Sequence, residues 1–222
     1  MSDTGHKRVP GGDETRAAAP ERQPAGYRRG VARPLRNEQP GGTYHVTSRG
    51  SNKFPIYADD LDHVIFERLL SRFAQRHRWT VIAWVEMTNH YHLLLQIPFC
   101  GLSAGMKLLN GGYAVRFNQR HERTAHVFKN RFSATPIESE AHLMEAARYI
   151  VLNPVRAGLC KSPQQWRWGS YRACAGRELA PPFLAESVLL RLFDKRPPAA
   201  RRAYREFVAQ GHAPVSDTKR NA

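Results

Sequence analysis

His90 and His92, in "EMTNHYHLLLQIP" from Glu86 to Pro98, stand two residues apart with Tyr91 between them. In a strand, residues i and i+2 share a face, so the two imidazoles lie side by side while Tyr91 points away. Two neutral imidazoles at that spacing can bind one divalent metal ion. Hydrogen-bonded histidines at a surface or in a core produce the same pattern. The pair becomes a site only if a third ligand and a reactive group accompany it. "ARYIVLNPV" carries candidates for both. Tyr149 and Asn153 are four residues apart and share a helix face. Ile150, with Val151 or Leu152, can pack inward while Tyr149 and Asn153 look toward a sheet. An amide oxygen is a hard ligand suited to Mg²⁺ or Mn²⁺. A tyrosine hydroxyl, with a free pKa of about 10, needs help to attack, and a metal that polarises a phosphodiester supplies part of it. On the helix alone, Tyr149 as a packing residue and Asn153 as a helix end are the better fit. Tyr113 continues the apolar stripe of Met106 and Leu109, with Phe117 four residues on, and reads as core. Tyr171, in the basic stretch "WRWGSYRACAG", has no ligand partner at helical spacing.

The elements that must position these residues are legible from periodicity. "TYHVTSRG" from Thr43 alternates and is β-rich, so it predicts a strand. Asp59–His77 carries apolar residues at Leu61, Val64, Ile65, Leu69 and Phe73, the helical period, behind an acidic start. "WTVIAWVEM" and "YHLLLQIP" predict two strands joined by a turn at Thr88-Asn89. A helix follows over about Ser103–His121, weakened at Gly111-Gly112. "NRFSATPIE" predicts a fourth strand, and Ser139 caps a third helix that should stop at Pro154. The order β-α-β-β-α-β-α is that of an α+β, ferredoxin-like split βαβ sandwich, an antiparallel sheet with helices on one face. Two further helices are expected near Ala185–Phe193 and Pro198–Gln210. The expected organisation is a basic Pro/Gly-rich disordered tail over 1–41, a main domain over 42–180, a helical extension over 181–211 and a frayed tail over 212–222.

The bulk properties limit the function. Thirty-four Lys and Arg against nineteen Asp and Glu give a net charge of +15 in 222 residues. Such an excess points to a polyanionic partner, most simply nucleic acid, bound in a salt-dependent way. Arg116, Arg120, Arg123, Lys129 and Arg131 form one basic stretch. They suit phosphate contacts, or simply a solvated face. Trp166, Trp168 and Tyr171 interleave with Arg167 and Arg172. These can stack on unpaired bases or anchor a loop to the core. Three cysteines without a CxxC pair argue against a disulfide scaffold or zinc ribbon. With no apolar run of membrane length and no signal-peptide core, a cytoplasmic location is expected.

The pieces "YHVTSRG", "MTNHYHLLL", "NRF", "RYIVLNPVRAGL" and "WRWGSYRA", in that order over about Thr43 to Arg177, resemble the single-tyrosine HUH insertion-sequence transposases. Within them the chain most resembles the REP-associated tyrosine transposases. The resemblance implies a metal-dependent DNA strand transferase with Tyr149 as nucleophile. It implies His90, His92 and Asn153 as ligands of Mg²⁺ or Mn²⁺, and a 5′-phosphotyrosine intermediate on single-stranded hairpin DNA. It leaves monomer or homodimer open. Two departures are Thr88, where many relatives carry proline, and Tyr91, a bulkier middle residue than usual. Neither removes a reactive group. A non-catalytic or domesticated DNA-binding protein on the same fold, and a metal-dependent nuclease using water, are the alternatives.

Overall fold

The computed structural model describes residues 1–2 and 38–211. The expected tails therefore lie outside the described residues, apart from 1–2 and 38–41. Four strands form: β1 (Thr43–Arg49), β2 (Thr80–Glu86), β3 (His90–Gln96) and β4 (Ser133–Pro136). They make one antiparallel sheet in the order β2-β3-β1-β4. Helices α1 (Asp60–His77) and α2 (Leu102–Arg120) complete the split βαβ pattern. Asp59 caps α1 by accepting the N–H groups of Leu61 and Asp62, and Arg78 closes it in the left-handed region at φ 53°. Gly111 and Gly112 do not interrupt α2, because Met106, Leu109, Tyr113 and Phe117 anchor it on both sides of them in the core.

Strand alternation decides what lies on each face. Tyr91 points toward α1 and α2: its ring is 4.7 Å from Phe66, and its hydroxyl donates to Asn110 Oδ1. His90 and His92 point the other way. That second face is covered by α3 (Glu140–Arg156), whose Tyr149 ring lies 5.7 Å from His92. The two helices of the split motif thus share one face and α3 adds a layer on the other. Both faces of β3 are consequently filled, and Leu93, Leu94 and Leu95 are all fully buried.

Three boundaries differ from the sequence expectation. Helix α3 passes through Pro154 and ends at Arg156. A proline in the last turn forfeits only its own N–H bond, and the helix still closes with Ala157 N–H on Asn153 O and Gly158 at φ 71°. The fourth strand is only four residues long. Ordered contacts also begin before Thr43: the Glu38 carboxylate accepts the N–H groups of Gly101, Leu102 and Ser103 at 2.7–2.8 Å, satisfying the start of α2.

Three helices follow: α4 (Tyr171–Cys174), α5 (Glu186–Leu190) and α6 (Pro197–Gln210). The extension attaches at the β2 edge, where Ala185 N–H donates to Val81 O at 2.8 Å and Phe183 packs edge-on against Trp84. Tyr204 of α6 is fully buried between Tyr171 and Phe193. Among the described residues no helix is long and apolar enough to cross a membrane.

Candidate active site

The antiparallel register sets Thr47 of β1 opposite His92 and Arg49 opposite His90. His45, Thr47 and Arg49 therefore share the histidine face. His45 lies diagonally across from His92, and the two rings bond through His45 Nε2 and His92 Nδ1 at 2.9 Å. His90 is held differently. Its Nδ1 meets Asn89 Oδ1 at 2.8 Å, and the Asn89 amide is itself oriented by donating Nδ2–H to Lys53 O. That oxygen can only accept, so His90 Nδ1 carries the proton and Nε2 is bare. His92 Nε2 is buried without any hydrogen-bond partner.

Burial, with the nearby Arg49 guanidinium, pushes His90 down to about 4. Burial, then His45, His90 and Arg49, pushes His92 down to about 3. His45 is lowered by burial and by His142. The rings are thus neutral near pH 7, the form that can donate a lone pair to a metal ion.

Helix α3 brings Tyr149 to this face. Its ring stands edge-on to both His92, at 5.7 Å, and His45, at 5.9 Å, while His45 and His92 are 5.1 Å apart. Tyr149 remains 42% exposed, and the Arg156 guanidinium lies 5.4 Å over its ring. These groups border an open cavity of about 620 Å³ that also takes in Thr47, His142 and Glu145. Neither His90 nor Asn153 contributes to its wall. Asn153 lies one helical turn beyond Tyr149 and donates its amide N–H to Tyr149 O at 3.0 Å, which leaves the amide oxygen as its available ligand atom. Two imidazole nitrogens and an amide oxygen would make a donor set suited to a hard or borderline divalent ion. Among the described residues no group of three or more His, Cys, Asp or Glu is arranged to hold a metal ion.

The residues expected to contact DNA divide into two groups. Arg120 is committed to Asp59 and buried Asp62, Arg167 to Asp60 and Arg172 to Glu178. Trp168 is only 8% exposed, with His63 stacked at 4.3 Å and the Arg167 guanidinium also at 4.3 Å. Burial and packing against His63 and Arg167 favour the anchoring role. Arg123 lies over Phe54 and Phe117, and Arg116 donates to Gly112 O. Lys129 and Arg131 sit in the loop before β4, where Arg131 and Lys107 border a second cavity of about 590 Å³. His45, His142 and Arg156 were not anticipated as site residues. For His45 the signal was present: β1 alternation puts it on one face with Thr47 and Arg49, and the split βαβ order puts β1 beside β3.

Residues 39–153 match the family model described as "Transposase IS200 like". A REP-associated tyrosine transposase, solved bound to a REP hairpin, is similar to this chain with a TM-score of 0.57 and 18% identity. The match covers 70% of this chain and 92% of that one. A Deinococcus radiodurans R1 protein described as a transposase gives a TM-score of 0.39 and 15% identity over 51% of this chain and 92% of its own. No curated protein matches.

Proposed function

Because the chain belongs to the family of IS200-like transposases, we propose that it nicks and rejoins single-stranded DNA bearing a REP-like hairpin, with Tyr149 as the nucleophile. The observation that carries this is Tyr149 standing exposed at a cavity, edge-on to a histidine whose buried Nε2 has no partner. A solved relative of the same fold is bound to a REP hairpin, which supports that class of substrate.

In the proposed reaction the Tyr149 hydroxyl loses its proton and attacks the scissile phosphorus. The new tyrosyl–phosphorus bond replaces the bond to the 3′-oxygen, which leaves as a 3′-OH after taking up a proton. The phosphate stays joined to the downstream 5′-oxygen. Attack by another 3′-OH reverses the exchange. One phosphodiester is always traded for another, so no nucleotide hydrolysis is required. His90, His92 and Asn153 would hold Mg²⁺ or Mn²⁺, which when bound supplies positive charge to the phosphate oxygens. Arg156 places a further cation over the Tyr149 ring, beside the cavity that the phosphate would enter. Lys129 and Arg131, in the loop before β4, and Arg116, on the α2 side of the sheet, would contact the flanking strand.

The test is covalent capture on a hairpin oligonucleotide with a single-stranded flank, resolved by denaturing electrophoresis. Wild type should give a protein–DNA adduct with Mg²⁺ or Mn²⁺ and none in EDTA. Tyr149→Phe should give no adduct yet still bind the hairpin, since only the hydroxyl is lost. Cleavage by Tyr149→Phe without an adduct would make the protein a nuclease using water. Binding without cleavage by wild type would make it a DNA-binding protein on this fold.

A further inference from the structure

We propose that His45 is a positioning residue for His92, accepting its Nδ1–H and so fixing the ring in the tautomer and tilt that present Nε2 to a divalent ion. This rests on the metal reading above and extends it to a residue outside the proposed ligand set.

A neutral imidazole has one donor and one acceptor, so in the 2.9 Å contact one ring must donate. If His45 Nε2–H donated, His92 would carry its own proton on Nε2. That N–H would then be buried without an acceptor, because His92 Nε2 has no partner. Burying an unsatisfied donor is unfavourable. If His92 Nδ1–H donates, Nε2 holds only a lone pair, which a cation can use. The second arrangement also makes the two histidines alike. Asn89 accepts from His90 Nδ1 and His45 accepts from His92 Nδ1, so both rings offer Nε2. One orienting group comes from the turn before β3 and the other from the neighbouring strand.

The strand register makes the contact possible. His45 is opposite Leu94, two residues along from His92 on the same face, a diagonal that long side chains span. His45 also touches the other proposed participant: its ring, His92 and Tyr149 form a triangle with sides of 5.1, 5.7 and 5.9 Å. A shift of His45 would therefore disturb both the ligand and the nucleophile. Partners that orient metal-bound histidines typically change metal affinity by about 10–100-fold when removed.

The experiment measures Mn²⁺ binding to the DNA-free full chain by electron paramagnetic resonance. His45→Phe keeps the ring shape but cannot accept a hydrogen bond, whereas His45→Gln restores an acceptor oxygen. His45→Phe should weaken Mn²⁺ binding by about 10–100-fold, and His45→Gln should recover most of it. Equal affinity in His45→Phe and wild type overturns the role of His45 alone. Wild-type binding that is absent, or unchanged by His90→Ala with His92→Ala, overturns the metal reading and this one together. A second measurement needs no variant and holds even if His45→Phe fails to fold. Long-range ¹H–¹⁵N spectra of the metal-free wild type near pH 7 should show His92 protonated at Nδ1 and bare at Nε2. The reverse tautomer overturns the proposal.

Discussion

A buried histidine lies against each face of the sheet, and the two are built to opposite ends. On the α1 side, His63 is stacked between Tyr57 at 4.2 Å and Trp168 at 4.3 Å, and its Nδ1 meets Glu86 Oε2 at 2.8 Å. Burial pushes Glu86 well above the usual carboxylate range and His63 down to about 4. Both shifts favour uncharged groups, so the contact is a neutral hydrogen bond rather than an ion pair. No ligand can reach it, because aromatic rings occupy both sides of the imidazole. On the α3 side, His92 is as well buried, yet its Nε2 has no partner and its neighbours border an open cavity. Both histidines are neutral and aromatic-packed. What separates a structural histidine from a candidate ligand here is one unsatisfied nitrogen beside accessible space.

Exchanging the consequences would break this contrast. His90→Ala with His92→Ala should lower strand cleavage by about 10²–10³-fold or more, far beyond any loss of folded protein seen in a thermal melt. His63→Ala should do the reverse. It opens a cavity between two rings and strips Glu86 of its partner, at a cost of about 3 kcal/mol, or roughly 5–10 °C in Tm. Cleavage per folded molecule should then stay near wild type at a temperature where the variant remains folded. Cleavage assays paired with thermal melts check both. A stable, inactive His63→Ala would place a catalytic role on the wrong face.

Trp168→Ala sharpens the same contrast at a similar or smaller size. The indole is held between His63 and Arg167, so its loss should cost about 3 kcal/mol in stability. Preference for a hairpin over duplex in competition binding should be unchanged. A selective loss of hairpin preference in a fully folded variant would return Trp168 to the DNA surface.

Much of this arrangement could be read from the residues, and the parts that could not share a cause. His90, His92 and Tyr149 announce themselves through local spacing, i and i+2 on a strand and i and i+4 on a helix. The strand order follows from the succession of periods. His45 and Arg156 required knowing which residues meet across strands and across layers. The second face was harder still: "VEM" and "DHVIFERLL" read as ordinary amphipathic segments, and nothing local says that Glu86 and His63 meet. Trp168 and Arg167 look like a nucleic-acid surface in sequence because an aromatic beside a cation has that appearance whether its faces are open or filled. Pro154 misled for an energetic reason, since a proline late in a helix loses one bond and not the helix.

Acidification offers the smallest effect and separates His92 from Glu86 by sign. Burial and the neighbouring His45, His90 and Arg49 push His92 down to about 3, whereas an unfolded chain's imidazole titrates near 6.5. Between about 3 and 6.5 the unfolded chain takes up a proton that the folded one refuses. Stability from this residue is therefore complete above about 6.5 and lost as the pH falls toward 3. Glu86 acts oppositely. Its folded carboxyl keeps its proton well above the pH at which an unfolded glutamate ionises, so its contribution grows as the pH falls. His92→Asn should accordingly gain stability relative to wild type between pH 7.5 and pH 5, by about 1–2 kcal/mol or a few degrees. Glu86→Gln should lose ground to wild type over the same interval. Melting curves in EDTA, which removes any contribution from bound metal, give both differences directly. Shifts of the same sign would mean that Glu86 is ionised in the folded chain, and that the neutral His63–Glu86 pair should be redrawn as an ion pair.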